Sequence, residues 1–551
     1  MAAVTSDAPI VRRSANYPPS EWSYDFLQSL AGNYVAQNTK RTSDTLKEKV
    51  RSMISVDTAV KKPLSALELI DDLQRLGVSY HFKDEISRVL NTIYTCHYEA
   101  HEKWEKMDLN LRALGFRLLR QHGYHIPQEI FKDIMDEAGN IKSHIREDTV
   151  AMLNLYEASF YAIDDEDMLD EARKFTTKCL EEAVEMYGDV ANQSPLLLLV
   201  SHALELPLLW RVPRFESIWF IEAYKGRNDK IPFLSVLSEL DYNIVQGIHQ
   251  EDLKSLSRWW VGLQWDRKLT FARDRMVESF MWAVGGNHEP SFDLLRSHVT
   301  KSISMVNVID DIYDVYGTLE ELEQFTQVVR SWDINAAEGL PDYMKTCFLG
   351  FYNTINEMAY NTLTNKDSFV IPSVKQAWTE YCEANLREAQ WYNSGYTPTL
   401  EEYLNNSRIT VAVPVIVLGA YFLDSNKIVG EALQNVICWS AIVLRLADDL
   451  GTSSAERERG DVPKAVECYM HETGVSEKEA RTHIKKLIIE AYKKINRERM
   501  ACKSPSMQVF MECASNLGRM GQFTYERGDI FGTPDDLYKR HQVSLLFEPK
   551  P

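Results

Sequence analysis

The chain has 551 residues, of which 45% are hydrophobic and 11% aromatic, so it is long and apolar enough to bury more than one hydrophobic core. Its 80 acidic and 61 basic residues give a formal net charge of −19, which disfavours binding to nucleic acid or to an anionic membrane surface. We therefore predict a globular protein of two domains that binds neither nucleic acid nor membrane.

The N-terminus, MAAVTSDAPIVRR, lacks the apolar core and cleavage site of a secretory signal peptide. Eight cysteines are scattered along the chain without a CxxC pair, which predicts reduced thiols. The longest apolar run, residues 409–423, is interrupted by Pro414 and is shorter than the roughly 20 residues that a membrane-spanning helix needs. We interpret that run as a buried helix.

Apolar residues recur at spacings of three and four along most of the chain, as at Leu64, Leu67 and Ile70, whereas alternating runs typical of strands are scarce. The sequence therefore predicts an all-α fold. The polar segment KGRNDK, residues 225–230, is the candidate linker. We expect an N-terminal segment at 1–29, a non-catalytic helical domain at 30–228 and a catalytic domain at 229–551.

The N-terminal domain contains one acidic cluster, Asp164-Asp165-Glu166-Asp167. Acidic residues are common at the first turn of a helix, where they stabilise unpaired backbone N–H groups. We interpret the cluster as the start of a helix and predict no catalytic role for it.

The C-terminal half contains a second acidic cluster, Asp310-Asp311-Ile312-Tyr313-Asp314. A helix repeats every 3.6 residues, so Asp310 and Asp314 project from one face. The residues before the cluster, 303–309, are largely apolar, and carboxylates in such a helix are costly unless they are paired or bind a metal. The pattern predicts a metal site.

A third cluster repeats this arrangement further along the chain. Asp448, Thr452 and Glu456 are spaced by four residues, so they stack along one stripe of a helix, and they follow the apolar segment 442–444. Mg²⁺ prefers octahedral oxygen ligands and is usually shared between a few carboxylates and substrate phosphates. Together the two clusters predict a site for three metal ions and a diphosphate.

These residues resemble the motifs of plant class I terpene synthases, and the resemblance covers essentially the whole chain. The two metal clusters match the family's aspartate-rich motif and its second metal motif. Arg273-Asp274-Arg275 matches the RxR motif, and Arg12-Arg13 followed by Trp22 matches the Arg-Arg-x8-Trp motif. The segment 444–474 is similar to the b-type subfamily, which contains mostly monoterpene, farnesene and isoprene synthases.

The resemblance implies a relict N-terminal α-barrel domain and a C-terminal α-bundle of the class I terpenoid synthase fold, with residues 1–29 capping the mouth of the bundle. It implies three Mg²⁺ ions, which Mn²⁺ can replace, and a small-molecule prenyl diphosphate as the substrate of a monomeric enzyme. The implied metal ligands are Asp310, Asp311, Asp314, Asp448, Thr452 and Glu456.

The resemblance also implies which residues bind and convert the substrate. Catalytic roles are implied for Arg273, Arg275, Asp310, Tyr525 and Asp529. Contacts to the diphosphate are implied for Arg273, Arg275, Asp310, Asp314, Arg445, Asp448 and Lys464. The hydrocarbon would contact Trp282, Ile303, Val306, Thr410, Leu444, Tyr525 and Phe531. Many relatives have Tyr at the position of Phe531, and we expect residues 410–414 to break a helix beside the pocket.

The substrate is predicted from the N-terminus and from two pocket positions. The Arg-Arg pair lies at residues 12–13 without the long transit segment of plastid relatives, so we expect a cytosolic enzyme that uses farnesyl diphosphate. Ile303 and Leu444 are smaller than the Phe of isoprene synthases and leave room for a longer chain. We predict an acyclic sesquiterpene such as a farnesene, formed by proton loss from the first allylic cation.

Four alternatives remain at this point. One is a monoterpene synthase that converts geranyl diphosphate into a product like ocimene, myrcene or linalool. Another is the formation of nerolidol or a cyclic sesquiterpene. A helical interaction scaffold would also explain an acidic all-α chain. A chain-elongating prenyltransferase would carry a second DDxxD motif, whereas this chain has Asp448, Thr452 and Glu456.

Overall fold

The computed structural model describes residues 12–32, 37–187, 194–424, 429–459, 462–526, 528 and 535–550. Within these residues the chain is helical and contains no β-strand. An isolated antiparallel β-bridge joins Met135 and Ile141. The predicted all-α fold is confirmed. None of the helices in the described ranges is long and apolar enough to cross a membrane.

The α-helices before residue 264 are α1 Tyr24–Ser29, α2 Gln37–Met53, α3 Val56–Lys61, α4 Pro63–Arg75, α5 Lys83–Ile93, α6 Leu109–Gln121, α7 Thr149–Ser159, α8 Asp167–Tyr187, α9 Pro195–Glu205, α10 Pro213–Lys225 and α11 Pro232–Leu263. Those that follow are α12 Trp265–Lys268, α13 Met276–Gly286, α14 Asp293–Asp311, α15 Leu319–Ser331, α16 Asp342–Lys366, α17 Ile371–Ser394, α18 Leu400–Thr410, α19 Val413–Asp424, α20 Glu431–Arg459, α21 Ala465–Thr473, α22 Glu477–Ala501, α23 Pro505–Tyr525 and α24 Asp536–Leu546.

Shorter helical turns connect these elements. The 3₁₀ turns are Ser79–Phe82, His101–Lys106, Gln128–Ile134, Ser143–Glu147, Leu208–Trp210, Pro290–Phe292 and Ile334–Gly339, and π-helical turns lie at Tyr94–Tyr98 and Ile312–Tyr316. A π turn is rare and is frequent at functional sites. The second π turn continues α14 directly and contains Asp314.

The buried apolar residues form two cores. One extends from Leu46 to Tyr242, and the other from Leu253 to Leu546 with Leu27 and Val212 added. Helix α11 contributes residues to both cores, so it joins the two units along its length. The candidate linker 225–230 forms the short connection between α10 and α11, and the domain boundary at 228 stays a prediction.

Helices α22 and α23 fasten the second unit to the first. The Asn496 side chain donates hydrogen bonds to the carbonyls of Phe160 and Ala162, both at 2.9 Å. The rings of Trp210 and Tyr492 stack with their centroids 5.0 Å apart. These contacts are buried, which makes the interface part of the folded core.

Close packing of α20 against α23 depends on glycine. A Cβ on Gly521 would lie 2.8 Å from the Leu444 side chain, and a Cβ on Gly451 would lie 2.3 Å from the carbonyl oxygen of Tyr525. Any larger residue would push the two helices apart. The glycines therefore allow close packing next to Leu444 and Tyr525, two predicted pocket residues.

Candidate active site

A cavity of about 820 Å³ lies inside the C-terminal helical bundle. Its wall includes residues from α13, α14, α17, α20 and α23, together with the segment Arg12–Tyr17. Of the predicted substrate and metal residues, the wall contains Arg273, Trp282, Ile303, Val306, Asp310, Asp314, Thr410, Leu444, Arg445, Asp448, Thr452, Lys464 and Tyr525. The structure therefore brings most of the predicted site together around one space.

Asp310 and Asp314 reach the cavity from the end of α14 and the π turn that follows it. The Arg273 guanidinium lies 2.6 Å from an Asp310 carboxylate oxygen and 2.9 Å from Asp311. The backbone N–H of Arg273 donates a second bond to Asp311, at 2.7 Å. Arg273 thus fixes the end of α14 and stands beside the acidic wall.

Asp311 is placed differently from its two neighbours. Its side chain is 1% exposed and does not belong to the cavity wall. Burial raises the pKa of Asp311 to about 6, although the charge and backbone N–H of Arg273 act in the opposite direction. This geometry makes Asp311 a partner of Arg273, and the metal-ligand role that the motif implied stays a prediction.

The opposite wall, on α20, has a similar arrangement. Arg445 forms ion pairs with Asp448, which faces the cavity, and with Asp449, which is fully buried, at 2.9 Å for the latter. Asp449 also accepts bonds from the Tyr403 hydroxyl at 3.1 Å and the backbone N–H of Ala465 at 3.0 Å. Each acidic wall therefore contains one arginine between a cavity-facing and a buried aspartate.

Two further predicted residues complete this wall. Thr452 lies one turn after Asp448, and its hydroxyl donates to the Asp448 carbonyl at 2.9 Å. Lys464 caps the start of α21 and lines the cavity. Glu456 lies within α20, but its side chain is outside the described residues. Its role stays a prediction.

Asp314 is a cavity-facing carboxylate whose pKa is raised by its surroundings. Enclosure by protein raises its pKa well above the usual range, and the charge of Asp310 raises it further, while Lys464 has the opposite effect. Two like charges that face one enclosed space are stabilised by a bound cation. The chemistry of this wall therefore fits a divalent metal.

The same wall contains Glu388, a residue that the motifs did not indicate. It lies on α17, is 5% exposed, lines the cavity and adds to the negative charge around Asp314. The Thr410 hydroxyl donates to its carboxylate at 2.7 Å, and the Asn406 amide at 3.2 Å. The sequence signal for Glu388 is weak, because it is one of three Glu residues in α17 and belongs to none of the motifs.

The predicted helix break beside the pocket is confirmed. Helix α18 ends at Thr410, Ala412 has a positive φ of 68°, and α19 begins at Val413. A non-glycine residue with positive φ is strained and is common at functional sites. The break places residues 410–413 in the cavity wall.

Arg275 is the predicted diphosphate residue that the structure places elsewhere. Its side chain is buried, does not line the cavity, and donates to the carbonyl oxygens of Pro18 at 3.1 Å and Asp274 at 2.9 Å. Arg275 therefore anchors the N-terminal segment, while Arg273 of the same motif faces the cavity.

The apolar end of the cavity contains Trp282 from α13, Ile303 and Val306 from α14, and Leu444 from α20. Tyr525 is the last residue of α23 and also lines the cavity. Asp529 and Phe531 lie outside the described residues, so the roles predicted for them stay predictions.

The N-terminal segment lies against the acidic wall. Arg12 pairs with Glu321 at 2.7 Å and donates to the Tyr316 carbonyl at 2.9 Å. Arg13 donates to the Asp314 carbonyl at 3.2 Å, and the Tyr17 ring lies 5.0 Å from the Arg273 guanidinium.

Trp22 lies outside the cavity wall, and its ring centroid is 4.7 Å from that of Phe547. It therefore holds the segment to the C-terminal end of the chain and does not cover the cavity directly.

The residues fit a metal site that is completed by a ligand. Asp310 and Asp314 stand on one wall, with Asp448 and Thr452 on the other. Among the described side chains, no three carboxylate, His or Cys groups come close enough to form a preformed metal cluster. Oxygens of a bound diphosphate would supply the remaining ligands, as Mg²⁺ commonly requires.

Two protein-family profiles match the chain. The profile for the terpene synthase N-terminal domain matches residues 21–204, and the profile for the terpene synthase family metal binding domain matches residues 262–494. The second match includes both acidic walls of the cavity.

One relative and two solved structures are similar over almost the whole chain. R-linalool synthase QH1, chloroplastic, of Artemisia annua is 49% identical over 100% of this chain and 96% of its own length. A crystal structure of limonene synthase with 2-fluorolinalyl diphosphate matches with a TM-score of 0.92 and 41% identity, over 98% of this chain and 100% of the other. Isoprene synthase from grey poplar, in complex with three Mg²⁺ ions and dimethylallyl-S-thiolodiphosphate, matches with a TM-score of 0.85 and 41% identity, over 97% and 99%.

These similarities correct one expectation and leave another unconfirmed. The cytosolic location expected from the N-terminus is wrong, because the linalool synthase of Artemisia annua and further relatives at 43–50% identity are named as chloroplastic. The sesquiterpene product is not confirmed, since the relatives are linalool, myrcene and limonene synthases. They favour the alternative of a monoterpene.

Proposed function

The chain belongs to the terpene synthase family, whose members ionise prenyl diphosphates, and we propose that it converts geranyl diphosphate into a monoterpene in a reaction that depends on Mg²⁺. The observation that carries this proposal is similarity over the whole chain to a linalool synthase and to a limonene synthase, both named for ten-carbon products. We also propose a plastid location, in line with the names of the relatives.

The size of the pocket is compatible with a ten-carbon chain. Ile303 and Leu444 both line the cavity, and both are smaller than Phe. This argues against a cavity shortened for the five-carbon substrate of an isoprene synthase. The proposed ten-carbon substrate is supported by the relatives, which are named for ten-carbon products.

The diphosphate is proposed to lie between the two acidic walls. Asp310, Asp314, Asp448 and Thr452 would hold the metal ions, with Glu456 as a further proposed ligand. Bound Mg²⁺ supplies positive charge that stabilises the departing diphosphate. Three ions are proposed, as in the isoprene synthase complex, and Mn²⁺ is proposed as a substitute.

Three basic residues of the wall add to this stabilisation. Arg273 and Arg445 present guanidinium groups, which match phosphate oxygens in pairs, and Lys464 presents a point charge. In the structure the two arginines pair with Asp310 and Asp448. Binding of metal and diphosphate would replace these ion pairs, so the arginines can move from carboxylate to phosphate without crossing the cavity.

The hydrocarbon cation is proposed to form at the apolar end. The faces of Trp282 and Tyr525 attract positive charge, and the segment 410–413 places backbone dipoles in the same wall. The segment Arg12–Tyr17 would limit the entry of water, which otherwise captures the cation. Water reaching the cation would give an alcohol such as linalool, and proton loss would give a hydrocarbon such as myrcene.

The test is product analysis with purified enzyme and Mg²⁺. Geranyl, farnesyl and dimethylallyl diphosphates are supplied separately, and gas chromatography with mass spectrometry identifies the products. We expect the highest kcat/KM with geranyl diphosphate, and linalool or myrcene among the products. A higher kcat/KM with farnesyl diphosphate would overturn the substrate proposal and restore the sesquiterpene interpretation.

A further inference from the structure

A second cavity, of about 110 Å³, lies between the two domains and away from the catalytic residues. Its wall combines residues of α4, α6 and α10 with residues of α22 and α23. Six arginines contribute to it: Arg75, Arg117, Arg120, Arg211, Arg499 and Arg519. So many guanidinium groups around one small interior space need compensating negative charge.

The carboxylates around this cavity compensate the arginines only in part. Its wall contains three carboxylates, Asp71, Glu216 and Glu512. Asp71 lies 2.7 Å from Arg117, Glu216 lies 2.8 Å from Arg75, and Glu512 lies 2.7 Å from Arg519.

Three further carboxylates outside the wall interact with the same arginines. Glu166 pairs with Arg120, Glu157 interacts with Arg117, and Glu205 interacts with Arg211. Burial raises the pKa of Glu157 to about 7, so this group is only partly ionised at neutral pH. Within the cavity wall itself, six arginines stand against three carboxylates.

The pKa values of the wall carboxylates indicate the sign of the local potential. Burial alone would raise the pKa of Glu216 and Glu512, but the charges of Arg75 on the first and of Arg499 and Arg519 on the second lower both values to about 2. Such a low pKa in a buried group means that positive charge dominates the surroundings.

One donor of the wall has no partner. The Arg117 side chain is 2% exposed, and its Nε–H makes no hydrogen bond. An unpartnered buried donor of a charged group is costly, and native proteins rarely leave one without an acceptor. An anion in the adjoining cavity would supply that acceptor.

We propose that this interdomain cavity, the arginine cavity, binds an oxyanion of the phosphate class. Guanidinium groups bind phosphate oxygens through paired hydrogen bonds, and the cavity volume exceeds the space needed for a few ordered waters. Inorganic phosphate and free diphosphate both present oxygens of this kind. The proposal does not depend on the identity of the terpene product.

Binding would link the two domains. Arg117 belongs to α6 of the N-terminal unit, whereas Arg499 and Arg519 belong to α22 and α23. The far end of α23 carries Tyr525 of the catalytic cavity. An anion held by both sides therefore stabilises the interface against which the catalytic helices pack.

The test measures anion binding by the full-length protein in EDTA, without substrate, so that metal-dependent binding in the catalytic cavity is suppressed. Isothermal titration calorimetry and thermal unfolding are followed with inorganic phosphate, diphosphate or sulfate, and with chloride at equal ionic strength. We expect one saturable site for phosphate or diphosphate and a Tm that rises with their concentration. Absence of saturable binding by the wild-type protein would overturn the proposal.

Variants locate the binding. Arg499→Gln removes a cation of the wall whose side chain is 25% exposed, and we expect phosphate affinity to fall about tenfold or more, the usual size for a charge-assisted hydrogen bond. Glu512→Gln removes a competing carboxylate and should raise the affinity. Arg330→Gln and Glu383→Gln break an exposed ion pair outside the cavity wall and should leave it unchanged.

A fifth variant separates the two cavities. Arg273→Gln alters the catalytic wall only, so phosphate affinity should stay at its wild-type value. Loss of binding in Arg273→Gln together with retention in Arg499→Gln would place the anion in the catalytic cavity and overturn the proposal. If Glu512→Gln fails to fold, the comparison of Arg499→Gln with Arg330→Gln still decides the outcome.

Discussion

Each domain contains an acidic cluster of similar composition, and the two clusters have different environments. In the N-terminal domain, Asp164 and Glu166 are bound by other protein groups, whereas Asp165 and Asp167 are exposed. Asp164 accepts bonds from Arg497 at 2.6 Å and Lys494 at 3.3 Å, and Glu166 pairs with Arg120 at 2.5 Å. In the C-terminal domain, Asp310 and Asp314 face a cavity.

The difference shows when an acidic motif is available to bind a metal. Glu166 accepts the N–H of Ile163 at 2.9 Å besides its bonds to Arg120, so its carboxylate has partners and no free path to a ligand. Asp314 instead shares an enclosed space with Asp310, and its pKa is raised for that reason. A carboxylate is available for metal when the protein leaves its charge uncompensated next to a cavity.

The largest expected effect is a loss of stability caused by a substitution in the N-terminal acidic cluster. Glu166→Ala leaves the buried Arg120 guanidinium without its partner, and breaking a buried ion pair in this way costs about 3–5 kcal/mol of unfolding free energy. We expect a much lower urea midpoint with unchanged kcat per folded molecule. Glu171→Ala, in the helix α8 that follows Glu166, breaks an exposed pair with Lys174 and should cost less than about 1 kcal/mol. Equal stability losses in the two variants would contradict the comparison.

The second expected effect is a loss of turnover caused by a substitution in the C-terminal acidic cluster. Asp314→Ala removes a proposed metal ligand, and turnover with Mg²⁺ should fall on the order of 10²–10³-fold, as for other groups that stabilise a transition-state charge. Thermal stability should be equal or higher, because repulsion from Asp310 is relieved.

Asp164→Ala is the matched control from the other cluster. It removes a carboxylate that pairs with Arg497 and Lys494, and kcat should be retained. A near-wild-type kcat in Asp314→Ala, or an equal loss in Asp164→Ala, would refute the assignment of the metal site to Asp314.

The third effect depends on pH. Burial raises the pKa of Glu157 to about 7 in the folded N-terminal domain, against about 4.3 in an unfolded chain. Between these pH values the folded state therefore binds more protons than the unfolded state. As pH rises from about 4.3 to 7, the free energy of unfolding falls, and above pH 7 this loss is complete.

Glu157→Gln cannot ionise, and its amide oxygen can still accept the Leu208 N–H that Glu157 binds at 2.8 Å. Relative to wild type, we expect about 1–3 kcal/mol more unfolding free energy at pH 8 than at pH 5. Urea denaturation at the two pH values measures the difference. A stability change of the same size at both pH values would mean that Glu157 is ionised in the folded protein throughout this range.

Much of the site could be predicted from the sequence, because rigid helices carry it. Spacings of four residues place Asp310 beside Asp314 and Asp448 beside Thr452 whatever the rest of the fold does. The all-α class and the helix break after Thr410 follow from equally local signals.

The remaining features depend on tertiary packing, which spacing does not encode. Asp311 is adjacent to Asp310 but points to Arg273, and Arg275 is two residues from Arg273 but binds the Pro18 carbonyl. Glu388 comes from a separate helix and reaches the wall only through the fold. The predicted cytosolic location was wrong for a different reason. It was inferred from the position of the Arg-Arg pair relative to the first residue of the chain.

The last prediction tests whether the N-terminal segment acts with the catalytic domain. Arg12 lies along the cavity wall, where it pairs with Glu321 at 2.7 Å and its guanidinium stands 4.6 Å from the Tyr316 ring centroid. Burial would raise the pKa of Glu321, yet the bond from Arg12 and its other hydrogen bonds lower it to about 2, so this carboxylate is ionised at neutral pH and attracts the segment. Arg12→Ala should release residues 12–17 from the wall and admit water. We expect kcat/KM to fall about tenfold, the size of one charged hydrogen bond, with a larger share of alcohol in the products. Arg258→Ala removes a 2.8 Å bond to Gln28, outside the cavity wall, and should alter neither quantity. An unchanged product ratio in Arg12→Ala would show that the segment is only a structural attachment.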